Sequence, residues 1–229
     1  MAEVVKLVKV SKSYGAGELR TQVLYDIDLG LEEGGFSSLI GASGSGKTTL
    51  LNLIGTLDKT DSGEVWIAGS RTDSMSRDRL AQLRNATIGF VFQFHYLLPE
   101  FTALENVVMP HLLQGKAADA SVTDRALELL GLVGIEQVAN NLATRMSGGQ
   151  QQRTAIARAL MNKPRLILAD EPTGNLDSDT SDSIYKLFRR INTELGTTFL
   201  IVTHDRRIAE RTDRIIEISD GRIRMDIKR

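Results

Sequence analysis

The chain has 229 residues, of which 41% are hydrophobic and 25% charged, with a formal net charge of -1. This is globular composition, enough for one large domain or a domain with a subdomain, and it excludes a disordered chain and a general electrostatic attraction for DNA, RNA or anionic lipid. The absence of cysteine excludes disulfides and thiolate metal sites, and three histidines leave little scope for a metal cluster.

The opening run Met1–Leu7, with an early acid at Glu3 and apolar residues alternating with polar ones, reads as a strand and not as a signal peptide. No apolar run approaches the ~20 residues that span a bilayer, so the expectation is a soluble chain whose membrane role, if any, comes through a partner. Up to about Leu31 the pattern reads as antiparallel hairpins laid on a central sheet. Beyond it, Ser37–Ile40, Val65–Ile67, Ile88–Phe92, Leu166–Ala169, Phe199–Val202 and Ile215–Ile218 are compact apolar segments that read as buried parallel strands. Helical candidates at Thr48–Leu57, Asp124–Leu130, Gly149–Met161 and Thr180–Leu195 lie between them, so an α/β fold with a parallel central sheet is predicted. From Phe94 to Asn162 strand signals stop, and helical patterns punctuated by Pro99, Pro110 and Gly115 predict an inserted α-helical subdomain. Arg206, Arg207, Arg211 and Arg214 read as a solvated helix face and loop.

The chemistry begins at Gly41-Ala42-Ser43-Gly44-Ser45-Gly46-Lys47-Thr48, which fits G-x-x-x-x-G-K-[ST] between an apolar strand and a helix starting near Thr49. That is the context a phosphate-binding loop requires. Glycines let successive backbone N–H groups point at phosphate oxygens, and the following helix adds its positive end. Lys47 is expected to neutralise the β- and γ-phosphates and the Thr48 hydroxyl to ligate Mg²⁺.

Downstream, Leu166–Ala169 ends in Asp170-Glu171. Adjacent residues of a strand face opposite sides, so the two acids can hold different jobs. Asp170 is expected to hold Mg²⁺, directly or through water, and Glu171 to face the γ-phosphate and polarise the attacking water. A second glycine-rich segment, Met146-Ser147-Gly148-Gly149-Gln150, opens a helix running through Ala155, Ile156, Ala159 and Leu160, and such a helix start is another anion site. One nucleotide cannot easily use two distant sites of this kind within one compact subunit.

Taken in order, these segments resemble the nucleotide-binding domain of ATP-binding-cassette ATPases over nearly the whole chain. The resemblance implies a P-loop NTPase with a RecA-like parallel core sheet and an antiparallel β subdomain (1–93 and 163–229), plus an inserted α-helical subdomain (94–162) carrying the signature loop. It implies ATP and Mg²⁺ as ligands. Tyr14 in Val10–Gly15 looks like the aromatic that stacks on adenine, Gln93 like the Q-loop glutamine that contacts Mg²⁺ or the water, Asn175-Leu176-Asp177 like the D-loop, and His204 like the H-loop histidine that bonds the γ-phosphate. The implied catalytic residues are Glu171, His204 and Lys47. Nucleotide contacts fall to Tyr14, Gly41, Ser43, Gly44, Ser45, Gly46, Lys47, Thr48, Thr49, Gln93 and Asp177, and from a second copy in a head-to-tail dimer to Ser147, Gly148, Gly149 and Gln150. The metal falls to Thr48, Gln93 and Asp170.

Two departures are visible: Met146 stands where the family has leucine, a near volume-conserving exchange, and Gly35 where relatives commonly have glutamate. Within the family, Gly89–Val107 is similar to lipoprotein-releasing ATPases, and also close to macrolide-exporter and cell-division relatives. A soluble ABC ATPase outside transport is the further alternative. The lipoprotein-releasing likeness implies a peripheral subunit on the cytoplasmic face of a bacterial inner membrane, docked to integral LolC/LolE-like subunits near Phe94–Val107 through Phe94, Tyr96 and Phe101. No nucleic acid is expected.

Overall fold

The apolar runs gather into two sheets with one helix between them. In this computed structural model the described residues are Ala2–Arg229; Met1, first residue of the predicted N-terminal strand, lies outside them. The first sheet is antiparallel, ordered β2-β1-β4-β5, from β1 (Glu3–Tyr14), β2 (Thr21–Glu32), β4 (Ser62–Ile67) and β5 (Ser70–Arg71). The second is ordered β10-β9-β3-β8-β7-β6, from β3 (Phe36–Ile40), β6 (Ile88–Phe92), β7 (Leu166–Asp170), β8 (Thr198–Val202), β9 (Arg214–Ser219) and β10 (Arg222–Lys228). Neighbours in it run parallel except β10, which closes one edge antiparallel to β9. Every residue of β3 and β8 is buried, as expected of central strands covered on both faces.

Helix α1 (Lys47–Ile54) follows β3 and sits between the sheets. Its Leu50, Leu51, Leu53 and Ile54 join Val5, Leu7 and Ile67 of the first sheet and Leu39, Leu168 and Leu200 of the second in one core. On the opposite face a second core joins α3 (Ala103–Leu112), α4 (Ala120–Leu132), α5 (Gly148–Leu160) and α6 (Ser178–Leu195) through Val107, Ala126, Leu130, Ile156, Leu160 and Phe188. Helix α2 (Arg77–Thr87) leads into β6, and the short α7 (Arg206–Ala209) follows β8.

Three expectations need correction. Val65–Ile67 is not a parallel strand: it belongs to antiparallel β4, where Val65 and Ile67 are buried and Trp66 is half-buried, an alternation that three residues cannot reveal. Helix α1 stops at Ile54, short of Leu57, with Gly55 as its C-cap. Arg214 is not a solvated loop residue; it lies in β9, its side chain 13% exposed and ion-paired to Asp226 across the sheet edge. Helix α2 and strand β10 had no counterpart among the predicted elements.

Candidate functional site

The parallel strands β3, β7 and β8 end side by side, and ligand sites of open α/β sheets lie outside such carboxyl ends. After β3 the chain turns through Gly41–Gly46 into α1. A side chain at Gly41 would collide with the carbonyl oxygen of Ile218, and Gly46, the N-cap of α1, has φ 107° with Leu24 only 2.7 Å from where a Cβ would sit. The loop can follow this path only with glycine there. No side chain caps α1, so the donors of its first turn are open to an outside acceptor. Lys47 Nζ donates to the carbonyls of Gly41 (2.9 Å) and Ala42 (2.8 Å), which folds the ammonium back over the loop.

This loop forms the floor of a cleft of about 590 Å³ lined by Tyr14, Val23, Ser43, Gly44, Gly46, Lys47, Thr48, Thr49, Asp170, Glu171, Val202 and His204. Sheet register puts the acids there: Asp170 pairs with Val202 as β7 and β8 end. Burial, then the adjacent Glu171, push the Asp170 carboxyl above the ordinary aspartate range, with Lys47 pulling the other way. Glu171 does not continue the strand, as alternation had suggested. Its φ is 46°, in the left-handed region that disfavours a residue with a Cβ, and its N–H donates to Val202 O at 3.0 Å. The turn, not the pleat, separates the two carboxylates. It brings Glu171 Oε1 to 2.9 Å from Nδ1 of His204, two residues beyond the end of β8.

Tyr14 stands at the cleft with its hydroxyl donating to Asp58 Oδ2 (2.8 Å) and Lys12 Nζ 4.9 Å from its ring centroid. Burial and the Asp58 hydrogen bond raise its pKa. Asp58, Val23 and Val202 had not been singled out; a partner 44 residues away leaves no local signature.

The remaining expected residues are elsewhere. Ser45 is buried beneath the loop, its hydroxyl without a partner, and neither it nor Gly41 lines the cleft. Gln93, just past β6, donates from Nε2 to Asn175 Oδ1 (3.0 Å) and does not line the cleft. Asp177 caps α6, accepting from Thr180 N (2.9 Å) and Thr180 Oγ1 (2.7 Å), bonds that hold its pKa down. Ser147 caps α5 in a reciprocal pair: its Oγ accepts from Gln150 N (3.3 Å) while Gln150 Oε1 accepts from Ser147 N (2.9 Å). Ser147 and Gly148 are exposed, Gly149 and Gln150 half-buried, and none reaches the phosphate-loop cleft of its own chain. Met146, in place of leucine, is buried and accepts from Thr154 Oγ1 through its sulfur (3.6 Å).

A larger cleft of about 850 Å³ opens on another face, between α2, β6, α3 and α5, walled by Phe90, Phe92, Tyr96, Leu98, Met109 and Leu113. Tyr96 is 64% exposed, and Phe94 beside it 65%.

With the phosphate loop, Asp170, Glu171 and His204 around one cleft, the comparison with known proteins is decisive: the profile of the ABC transporter family matches residues 24–174. The chain belongs to the ABC transporter family. It is 53% identical over 224 residues to the lipoprotein-releasing system ATP-binding protein LolD 1 of Rhodopseudomonas palustris, covering 97% of this chain and 99% of that protein. It is also 53% identical over 222 residues to the LolD of Anaeromyxobacter dehalogenans, covering 97% and 93%. Among solved structures, a dimeric ATP-binding cassette in a post-hydrolysis state bound to ADP and Pi superposes with a TM-score of 0.89 at 45% identity, over 98% of both chains. This ABC cassette is thus an ATP-binding ATPase of the P-loop NTPase fold. Among its described residues no helix is long and apolar enough to cross a membrane.

Proposed function

We propose that this ABC cassette is the ATP-hydrolysing subunit of a complex that releases lipoproteins from the bacterial inner membrane, held at its cytoplasmic face by integral subunits of the LolC/LolE kind. The observation that carries the cargo reading is the 53% identity to two LolD proteins over nearly their whole lengths.

The site supports hydrolysis in a head-to-tail dimer. Residues 94–162, with Ser147 at the tip of α5, act as the helical subdomain, and residues 1–93 and 163–229 as the RecA-like core with its antiparallel β subdomain. Ser147 is outside the cleft of its own chain, yet its oxygen serves as an acceptor in the cap, which leaves its hydroxyl proton free to donate. With the α5 N-terminus behind it, it suits the γ-phosphate of a nucleotide held by a second copy. Asp177 and Gln93 join the nucleotide only as the two copies close.

Tyr14 offers its ring to adenine, while Lys47 and the loop N–H groups take the phosphates. Thr48 and Asp170, with Gln93 joining on closure, fit Mg²⁺: a hydroxyl and a half-buried carboxylate crowded by Glu171 are hard oxygen donors, and Mg²⁺ sites commonly use one or two carboxylates plus substrate phosphates. When bound, the ion neutralises the β- and γ-phosphate charge. Glu171 accepts a proton from the attacking water, and His204 holds the carboxylate in place through Nδ1. A ring that donates from Nδ1 to Glu171 can also donate from Nε2 to phosphate only when it carries both protons.

The aromatic cleft beside Phe94–Val107 receives the membrane subunit, its apolar walls and exposed rings suiting a helix laid into a groove. Reconstitution with LolC/LolE-type subunits in vesicles tests the cargo. ATP-dependent release of an embedded lipoprotein is expected, and ATP turnover without any release would overturn it.

A further inference from the structure

We infer that Arg158 is a positioning residue that ties the helix bearing Ser147 to the arch Phe94–Leu98. The inference rests on the docking reading above, since it gives that arch its job.

Arg158 lies on α5, roughly 16 Å along the axis from Ser147 at 1.5 Å per residue. Its guanidinium donates from Nη1 to the carbonyl of Tyr96 and from Nη2 to that of His95, both at 2.6 Å. Those two residues are consecutive and both left-handed, with φ 48° for Tyr96 and 59° for His95. Neither is glycine, so the conformation is unfavourable for each and must be held from outside. Both carbonyls turn to one planar donor fork, a geometry that arginine supplies and lysine does not.

Burial pushes the Arg158 pKa down to about 10, and no carboxylate offsets it. The same charge, after burial, lowers the pKa of His95. A half-buried charge set against carbonyls alone is a poor way to fill space, because an apolar side chain would do so without the cost of partial desolvation. What the charge does provide is a fixed arch. Tyr96 is held so that its ring meets Phe92 edge-on, centroids 5.3 Å apart, at the wall of the docking cleft.

Midway along the same helix, fully buried Gln152 donates from Nε2 to the carbonyl of Pro172, the residue after Glu171. One rigid helix thereby contacts the signature tip at its start, the hydrolytic loop at its middle and the docking arch near its end. A shift of Ser147 toward a partner's nucleotide moves the arch with it, and seating of a membrane subunit on the arch is felt at Ser147.

The test compares Arg158→Lys, which keeps the charge and loses the fork, with Phe94→Ala, which alters the docking surface and leaves the fork. Amide exchange at Phe94–Leu98 is measured on the free chain. The ratio of ATP hydrolysis with and without detergent-solubilised LolC/LolE-type subunits is measured on the complex. In Arg158→Lys, exchange at the arch rises about tenfold and the stimulation ratio falls about tenfold, the scale of losing charge-assisted hydrogen bonds. A residue that only supported the fold would lower both hydrolysis rates together and leave their ratio intact. Arg158→Gln serves the same purpose if the lysine variant does not fold. Wild-type exchange and ratio in Arg158→Lys overturn the inference even where Phe94→Ala abolishes capture of the membrane subunits. Faster arch exchange in Arg158→Lys sustains the contact even where Phe94→Ala leaves capture intact, a result that removes the docking reading instead.

Discussion

Two helices of this chain begin in glycine-rich loops, and they begin in opposite ways. Helix α1 starts at a left-handed glycine with no side-chain cap, its lysine folded over the loop, inside a cleft it shares with Tyr14, Asp170, Glu171 and His204. Helix α5 starts at a serine in ordinary extended geometry, closed by its own Gln150, exposed, and away from that cleft. The first leaves the N–H donors of its opening turn open to an outside acceptor; the second is capped from within its own chain and has a hydroxyl proton and a helix end to offer. Such a division suits one loop that holds a nucleotide and another that visits it.

The sharpest way to break this contrast is Glu171→Gln, which keeps the shape beside His204 and removes the carboxylate proposed as the base. ATP turnover is expected to fall by about 10²–10⁴-fold, the usual worth of a general base, while nucleotide still binds and the ATP-bound dimer persists. Wild-type turnover in a steady-state phosphate-release assay would remove Glu171 from the chemistry. Next in size is Ser147→Arg. If α5 acts in trans, equilibrium titration of the monomer with a fluorescent ATP analogue is unchanged whereas cooperative hydrolysis stops. Lost monomer binding would place Ser147 in its own chain's site.

A smaller effect is expected at Asp170, and its sign separates function from stability. Burial and Glu171 raise its pKa in the folded chain. Below the unfolded value both states are protonated and nothing is lost; as pH rises through the folded value, the folded state must carry an unfavourable charge, so stability declines. Asp170→Asn should therefore raise the melting temperature of the nucleotide-free chain at pH 7, on the scale of ~2–4 °C per kcal/mol for a chain of this size, while impairing Mg²⁺-dependent hydrolysis. A lowered melting temperature would show that the carboxylate is satisfied as it stands.

How far the sequence could be read divides along the same line. The α1 start was legible because glycine spacing, lysine and flanking strand are all local. The sheet order was not, since nothing local says that β3 runs between β8 and β9. Val65–Ile67 was placed in the wrong sheet because three apolar residues fit either kind of strand. Helix α2 went unseen: of Arg77–Thr87 only Leu80 and Thr87 are buried, too little for an apolar stripe. Strand β10 alternates charged residues along an edge, which conceals it as strand. Asp170-Glu171 was recognised, but the left-handed turn at Glu171 was not, for its partners, the Val202 carbonyl and His204, lie at the end of β8 and just beyond it, more than thirty residues on.

The smallest expected effect tests whether the α5 start is as self-sufficient as its geometry says. Ser147→Ala removes the oxygen that accepts from Gln150 N, and Gln150→Ala removes the reciprocal acceptor for Ser147 N. Loss of an N-cap costs about 1 kcal/mol, so each variant should melt a few degrees below wild type without nucleotide. Because the two residues form one reciprocal cap, the double variant should lose less than the sum of the singles, as contacting residues do. Helix α1, having no side-chain cap, offers no such increment; its start should gain from nucleotide instead, by about 2.7 kcal/mol at one hundred times Kd. If Ser147→Ala melted at the wild-type temperature, the serine would be idle as a cap in the free chain, and its hydroxyl would have no occupation until a second copy brings a phosphate.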